Sequence, residues 1–138
     1  MPERLTIHRV FYVLFCLFWL LGAASAAAQG SLLDGKSYVG QSEEKHKNKI
    51  TEEELSFMNG KFHSTGFEQK GFMEGDYTAI AVEDEIFFKA KTMSPKHGDI
   101  SWSGVVIGNT IKVDYRWLKR GWFTDTVKVF SFKGILKK

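Results

Sequence analysis

Between Ile100 and Trp117 the chain alternates apolar and polar side chains on both sides of Gly108-Asn109. Ile100, Trp102, Gly104 and Val106 share one face of the first arm, against Ser101, Ser103 and Val105. In the second arm Ile111, Val113, Tyr115 and Trp117 alternate with Lys112, Asp114 and Arg116. A period of two belongs to strands, so this segment requires a β-hairpin with one aromatic and branched face. Such a face is stable only when more strands cover it, and that constrains the rest of the chain.

Similar signals recur along the sequence. Leu32 to Lys36 contains the turn signal Asp34-Gly35, and Ser37 to Gln41 reads as a short first strand. Ser42 to Glu53 is the most polar stretch and is expected to be a solvated loop, with room for a helical turn. Leu55 to Met58 and Lys61 to Ser64 flank Asn59-Gly60, whose pairing suits a type I′ turn because both residues tolerate positive φ. Leu55, Phe57, Phe62 and Ser64 then share the inner face. Thr65 to Gly75 is a glycine-punctuated connection whose Phe67, Phe72 and Met73 suggest a loop folded over an open end of the core. Asp76 to Val82 and Glu85 to Met93 form a further hairpin across Glu83-Asp84, with Ile86, Phe88, Ala90 and Thr92 inward in the second arm. The first arm does not declare an inner face. Pro95 ends that strand, Lys119 to Phe123 turns the chain, and Thr124 to Leu136 is the last strand, with Phe130, Phe132, Gly134 and Leu136 inward.

Eight hairpin-linked strands in one short domain predict an all-β, antiparallel, up-and-down meander closing into a small lipocalin-like barrel. A small β-sandwich is the alternative. Inward glycines at Gly40, Gly104 and Gly134 suit strong strand coiling and favour the barrel.

The N-terminus reads differently. Arg4, His8 and Arg9 precede the uncharged apolar run Val10 to Leu21, and small residues from Gly22 to Ala28 follow. This is the pattern of a signal peptide over residues 1–28, cleaved after Ala26 or Ala28; a retained anchor is the alternative. Cys16 lies inside the apolar run, which excludes it as a lipid-anchored residue after cleavage. The expected domain, 29–138, therefore has no cysteine and must be held by its core rather than by disulfides. Setting aside Glu3, Arg4 and Arg9 leaves 17 basic and 15 acidic side chains of the chain's 19 and 16. So even a balance makes no electrostatic case for nucleic acid, and ties any membrane contact to residues 1–28 if they are retained. The expected location is the periplasm or the exterior.

The segments Leu33-Asp34-Gly35-Lys36, Asn59-Gly60-Lys61-Phe62-His63-Ser64, Gly71-Phe72, Trp102 to Gly108, Gly121-Trp122 and Phe132-Lys133-Gly134 resemble a group of small exported, mostly uncharacterised bacterial proteins with a lipocalin-like barrel appearance. These motifs are glycines and core aromatics. They imply a fold and carry no substrate with them. A cysteine such proteins often have near the position of Phe67 is missing here.

Chemistry is sparse. No serine sits in a nucleophile elbow, and His46, His63 and His97 are scattered without ligand spacing, so neither a catalytic set, a metal nor a cofactor is expected. The expected function is non-enzymatic binding. One version holds a small hydrophobic ligand inside the barrel against Trp102, Tyr115, Trp117, Phe88 and Phe62. The other is a filled-core interaction protein, an inhibitor or envelope accessory factor, that meets a protein partner through a surface patch of Phe72, Met73, Trp122 and Phe123.

Overall fold

The computed structural model describes residues 32–138. The expected signal peptide, its cleavage positions and Cys16 lie outside the described residues. The strands are β1 (Ser37–Glu44), β2 (Ile50–Met58), β3 (Lys61–Ser64), β4 (Gly75–Val82), β5 (Glu85–Ser94), β6 (Gly98–Ile107), β7 (Thr110–Lys119) and β8 (Thr126–Leu136). Each pairs antiparallel with the next, and β8 returns to β1, so the meander closes into a barrel rather than a sandwich.

Closure depends on a glycine pair. Gly40 of β1 faces Gly134 of β8, and a Cβ on Gly40 would stand 2.0 Å from the Lys133 carbonyl oxygen. Only a residue without a side chain lets the two backbones approach at this bend. The Asn59-Gly60 turn has φ of 52° and 73° at its two residues, as a type I′ hairpin needs.

The hairpin over Ile100–Trp117 forms in the expected register, with Trp102 opposite Tyr115 and Ile107 opposite Thr110. The polar stretch does not behave as expected. Instead of a loop over Ser42 to Glu53, β1 continues to Glu44, β2 starts at Ile50, and Gln41 pairs with Glu52. Only 45–49 connects them. Charged side chains are tolerated on the outward face of a strand, so charge density there did not signal a loop. In β4, which declared no inner face, Tyr77 and Ala79 turn inward and are buried.

The two ends of the barrel differ. At the closed end lie the turns 59–60, 83–84 and 108–109 together with residues 32–36. Here Leu33 is fully buried, and its N–H donates to the Tyr77 hydroxyl at 3.2 Å. That hydroxyl donates to Asp34 Oδ1 at 2.7 Å, and Asp34 also accepts from the Gly60 N–H at 3.0 Å. The Asp34-Gly35 turn thus caps this end. At the open end lie the connections 45–49, 65–74, 95–97 and 120–125, and a 3₁₀ helix over Thr65–Lys70 is laid across it with Phe67 and Phe72 buried beneath. The loop folds back over the core as the sequence suggests.

Between the ends the interior is filled by rings. Phe57 lies 4.9 Å from Tyr77 and 5.0 Å from Phe88 by ring centroids. Phe62 lies 4.8 Å from Trp102, Trp102 stacks on Tyr115 at 4.1 Å, and Tyr115 stacks on Phe130 at 4.8 Å. These offset and edge-on contacts add to the hydrophobic term that holds a domain without disulfides.

Candidate functional site at the open end of the barrel

The column of rings stops short of the open end. Above Tyr115 and Phe130, and under the 3₁₀ helix, a cavity of about 240 Å³ opens, lined by Phe67, Tyr115, Trp117 and Phe130 on its apolar side. Its polar side is built by Ser42, Glu53, Lys49, Lys70 and Lys128. This is smaller than the roughly 300 Å³ at which drug-sized pockets begin, and suits a single-ring or short-chain molecule.

Glu53 is 5% exposed, an uncommon place for a carboxylate. It points inward because it keeps phase with Leu55 and Phe57 along β2. Its oxygens accept hydrogen bonds from the Ser42 and Ser64 hydroxyls, and from the Tyr115 hydroxyl at 3.3 Å. Three O–H donors around one carboxylate satisfy its acceptor capacity and make the burial tolerable. Burial, and then the charge of Glu53, hold the Tyr115 phenol far above its usual range, so it stays a donor.

The lysines come from three separate elements. Lys49 belongs to the β1–β2 connection, Lys70 ends the 3₁₀ helix, and Lys128 takes an inward position on β8 in phase with Phe130. Lys70 Nζ stands 4.3 Å from the Trp117 ring centroid, and Lys128 Nζ stands 5.4 Å from it. Both are at cation–π distance. Burial, then the like charges of Lys128, Lys49 and Lys119, pull Lys70 below its ordinary value. Three cations thus line one cavity with an aromatic wall, and the Glu44 carboxylate, which lines it too, acts on Lys70 in the opposite direction. Glu44, the other carboxylate at the rim, is paired with Lys47 at 3.3 Å.

The expected ligand-binding residues divide into two groups. Tyr115 and Trp117 line the cavity. Trp102, Phe62 and Phe88 are packed into the ring column, and the Trp102 indole N–H donates to Thr92 Oγ1 at 2.9 Å. Neighbouring rings fill the interior space they face, so none of them borders the open-end cavity, although Phe88 borders a separate hollow of about 230 Å³ with Phe87, Ser103 and Gly104. Of the expected surface residues, Met73, Trp122 and Phe123 are 68%, 99% and 98% exposed. Phe72 is a correction: it is 6% exposed, tucked edge-on against Phe67 and Trp117 under the loop. Glu53, Ser42, Lys70 and Lys128 were not singled out by the sequence. The phase of Leu55-Phe57 and of Phe130-Phe132 signals Glu53 and Lys128, whereas Lys70 is placed only by the path of its loop.

A wider furrow, of about 860 Å³, runs along the outer wall beside Val39, Gln41, Glu52, Lys112 and Lys133. It follows the bend at the glycine pair, on the solvent side of the strands, and is not part of the interior. Among the described residues no cluster of three or more His, Cys, Asp or Glu side chains is arranged to hold a metal. No protein-family model, no curated protein and no solved structure matches the chain.

Proposed function

We propose that this protein is an exported, lipocalin-like binding protein, of the kind its sequence resembles among small bacterial exported proteins, and that its ligand is a small anion with an apolar, preferably planar, body. The ligand lies in the cavity at the open end rather than along the barrel axis. The observation that carries this reading is the joining of one aromatic wall, Tyr115, Trp117 and Phe130, to three lysines from three elements in a space of about 240 Å³. A carboxylate, sulfonate or phosphate between Lys70 and Lys128 would offset the burial and like-charge repulsion that act on Lys70, while its body stacks on Trp117. The role is binding rather than catalysis, because Glu53 is committed to Ser42, Ser64 and Tyr115 as a structural acceptor. A ligand this small supports affinities of roughly micromolar to millimolar.

A titration followed by tryptophan fluorescence tests the reading with two single-ring probes of nearly the same shape, the anionic benzoate and the uncharged benzamide. The anionic probe is expected to bind more tightly, and Lys70→Gln with Lys128→Gln to weaken it by about tenfold while leaving the neutral probe unchanged. Equal affinity for the two probes, or indifference to the lysines, would overturn it. Acting through the surface is the second reading, and the exposure of Trp122 and Phe123 is what favours it.

A further inference from the structure

Trp122 and Phe123 are exposed to 99% and 98% at the tip of the β7–β8 connection. Two adjacent aromatics left uncovered by the described residues are apolar surface held out toward another phase. The charge around them is equally uneven. The four connections at the open end, 45–49, 65–74, 95–97 and 120–125, carry six Lys or Arg against three Asp or Glu. At the closed end, residues 32–36, the three hairpin turns and 137–138 carry three basic side chains, Lys36, Lys137 and Lys138, against three acidic ones, Asp34, Glu83 and Asp84. Lys119 and Arg120 lead into the aromatic tip, and Lys128 follows it on β8. Of the two ends, the open one therefore carries the cationic excess, and the aromatic tip lies within it.

The open end has a further apolar rim. Met73 and Met93 are 68% and 58% exposed, and they are held side by side by the Met73 N–H donating to the Met93 carbonyl at 3.2 Å. The closed end also exposes aliphatic side chains, Met58, Val82 and Ile107, but no tryptophan. Its lysines are matched one for one by carboxylates, so it offers an anionic surface no excess of positive side chains.

We propose that the open end docks onto the surface of an anionic lipid bilayer, with Trp122 and Phe123 entering the headgroup region and the basic connections lying against the phosphates. Tryptophan is favoured at that depth because its ring is apolar and its N–H polar, and cations near the surface gain from the negative potential of anionic lipids. The proposal stands on the tip and the charge distribution, independently of the pocket, although it brings the mouth of the pocket to the bilayer. It departs from the expectation that membrane contact belongs only to residues 1–28. A near-zero sum of charges conceals how they are placed.

The test uses the protein recovered after export, free of residues 1–28, and phosphatidylcholine vesicles with or without phosphatidylglycerol. Co-sedimentation is expected with the anionic vesicles, with a blue shift of tryptophan emission, and both are expected to fade at high salt. The double variants Trp122→Ala/Phe123→Ala and Lys119→Glu/Arg120→Glu are expected to lower vesicle partitioning by about tenfold or more. Trp122→Phe is expected to keep sedimentation and lose the blue shift, which places that indole in the lipid. The substituted side chains lie at or beside the exposed tip, so circular dichroism should remain that of the wild type. Three results would overturn the proposal: no binding to anionic vesicles, binding that the double variants leave intact, or binding that is equal on neutral vesicles. A protein partner lost in the aromatic double variant, with vesicles never bound, would assign the tip to that partner instead.

Discussion

At Glu53 the chain buries a carboxylate among the hydroxyls of Ser42, Ser64 and Tyr115, so its removal strands three donors away from water. Each unsatisfied buried group costs about 1–3 kcal/mol, and Glu53→Ala is expected to destabilise the domain by about 3 kcal/mol or more. Glu53→Gln keeps one acceptor and the volume, and is expected to cost about 1 kcal/mol. Urea denaturation of the two variants measures both, and an alanine variant within about 0.5 kcal/mol of wild type would deny the network its role. The Tyr38 hydroxyl is the opposite case, since it is buried with no hydrogen-bond partner among the described residues. Tyr38→Phe removes the desolvated oxygen and keeps the ring against Phe57, so a gain of about 1 kcal/mol is expected in the same assay. The inward direction of Glu53 was legible in the alternation that carries Leu55 and Phe57, yet Glu52 and Glu54 beside it make the segment read as solvated. What decides the matter is a partner on another strand, Ser42, and a short stretch of sequence cannot display that pairing.

At the scale of elements, hairpins were the most legible part of the molecule, because turn residues and period-two faces are local properties. Asn59-Gly60 and the alternation around Gly108-Asn109 lie next to the strands they join, and those strands form in the expected registers. The β1–β2 hairpin is the exception, because its connection, 45–49, and its strand ends share one polar composition. The site depends on non-local placement: Lys49, Lys70 and Lys128 are far apart in sequence and meet only once the barrel has closed. Closure itself rests on the facing pair Gly40 and Gly134. Gly40→Ala would drive a methyl group into the Lys133 carbonyl, and relief requires the two backbones to separate. A loss of about 3 kcal/mol or more is expected, with weakened amide protection along β1 and β8 in hydrogen exchange; an unchanged melting temperature would show that the seam has slack.

Over the whole molecule, a cysteine-free barrel is held by its ring column, and this has a consequence at high pH. Tyr38, Tyr77 and Tyr115 are the tyrosines of residues 32–138, and burial raises the phenol of each above its ordinary value. A phenol that holds its proton longer in the folded state contributes stability that is intact below about pH 10 and is lost as pH rises past it. Unfolding free energy is therefore expected to fall above about pH 10, and phenolate absorbance to appear together with unfolding rather than ahead of it. Phenolate in the still-folded barrel would contradict the packing described. The claim that most needs testing is that the interior is solid and that ligand is held only at the open end. Three tryptophans report on three places: Trp102 in the ring column, Trp117 on the pocket wall and Trp122 at the exposed tip. Their indole N–H signals, assigned through Trp→Phe variants, can be followed by nuclear magnetic resonance as benzoate is added. The account predicts that the Trp117 signal moves with saturation while Trp102 stays still; a saturable shift at Trp102 would mean that the barrel opens along its axis, and would contradict it.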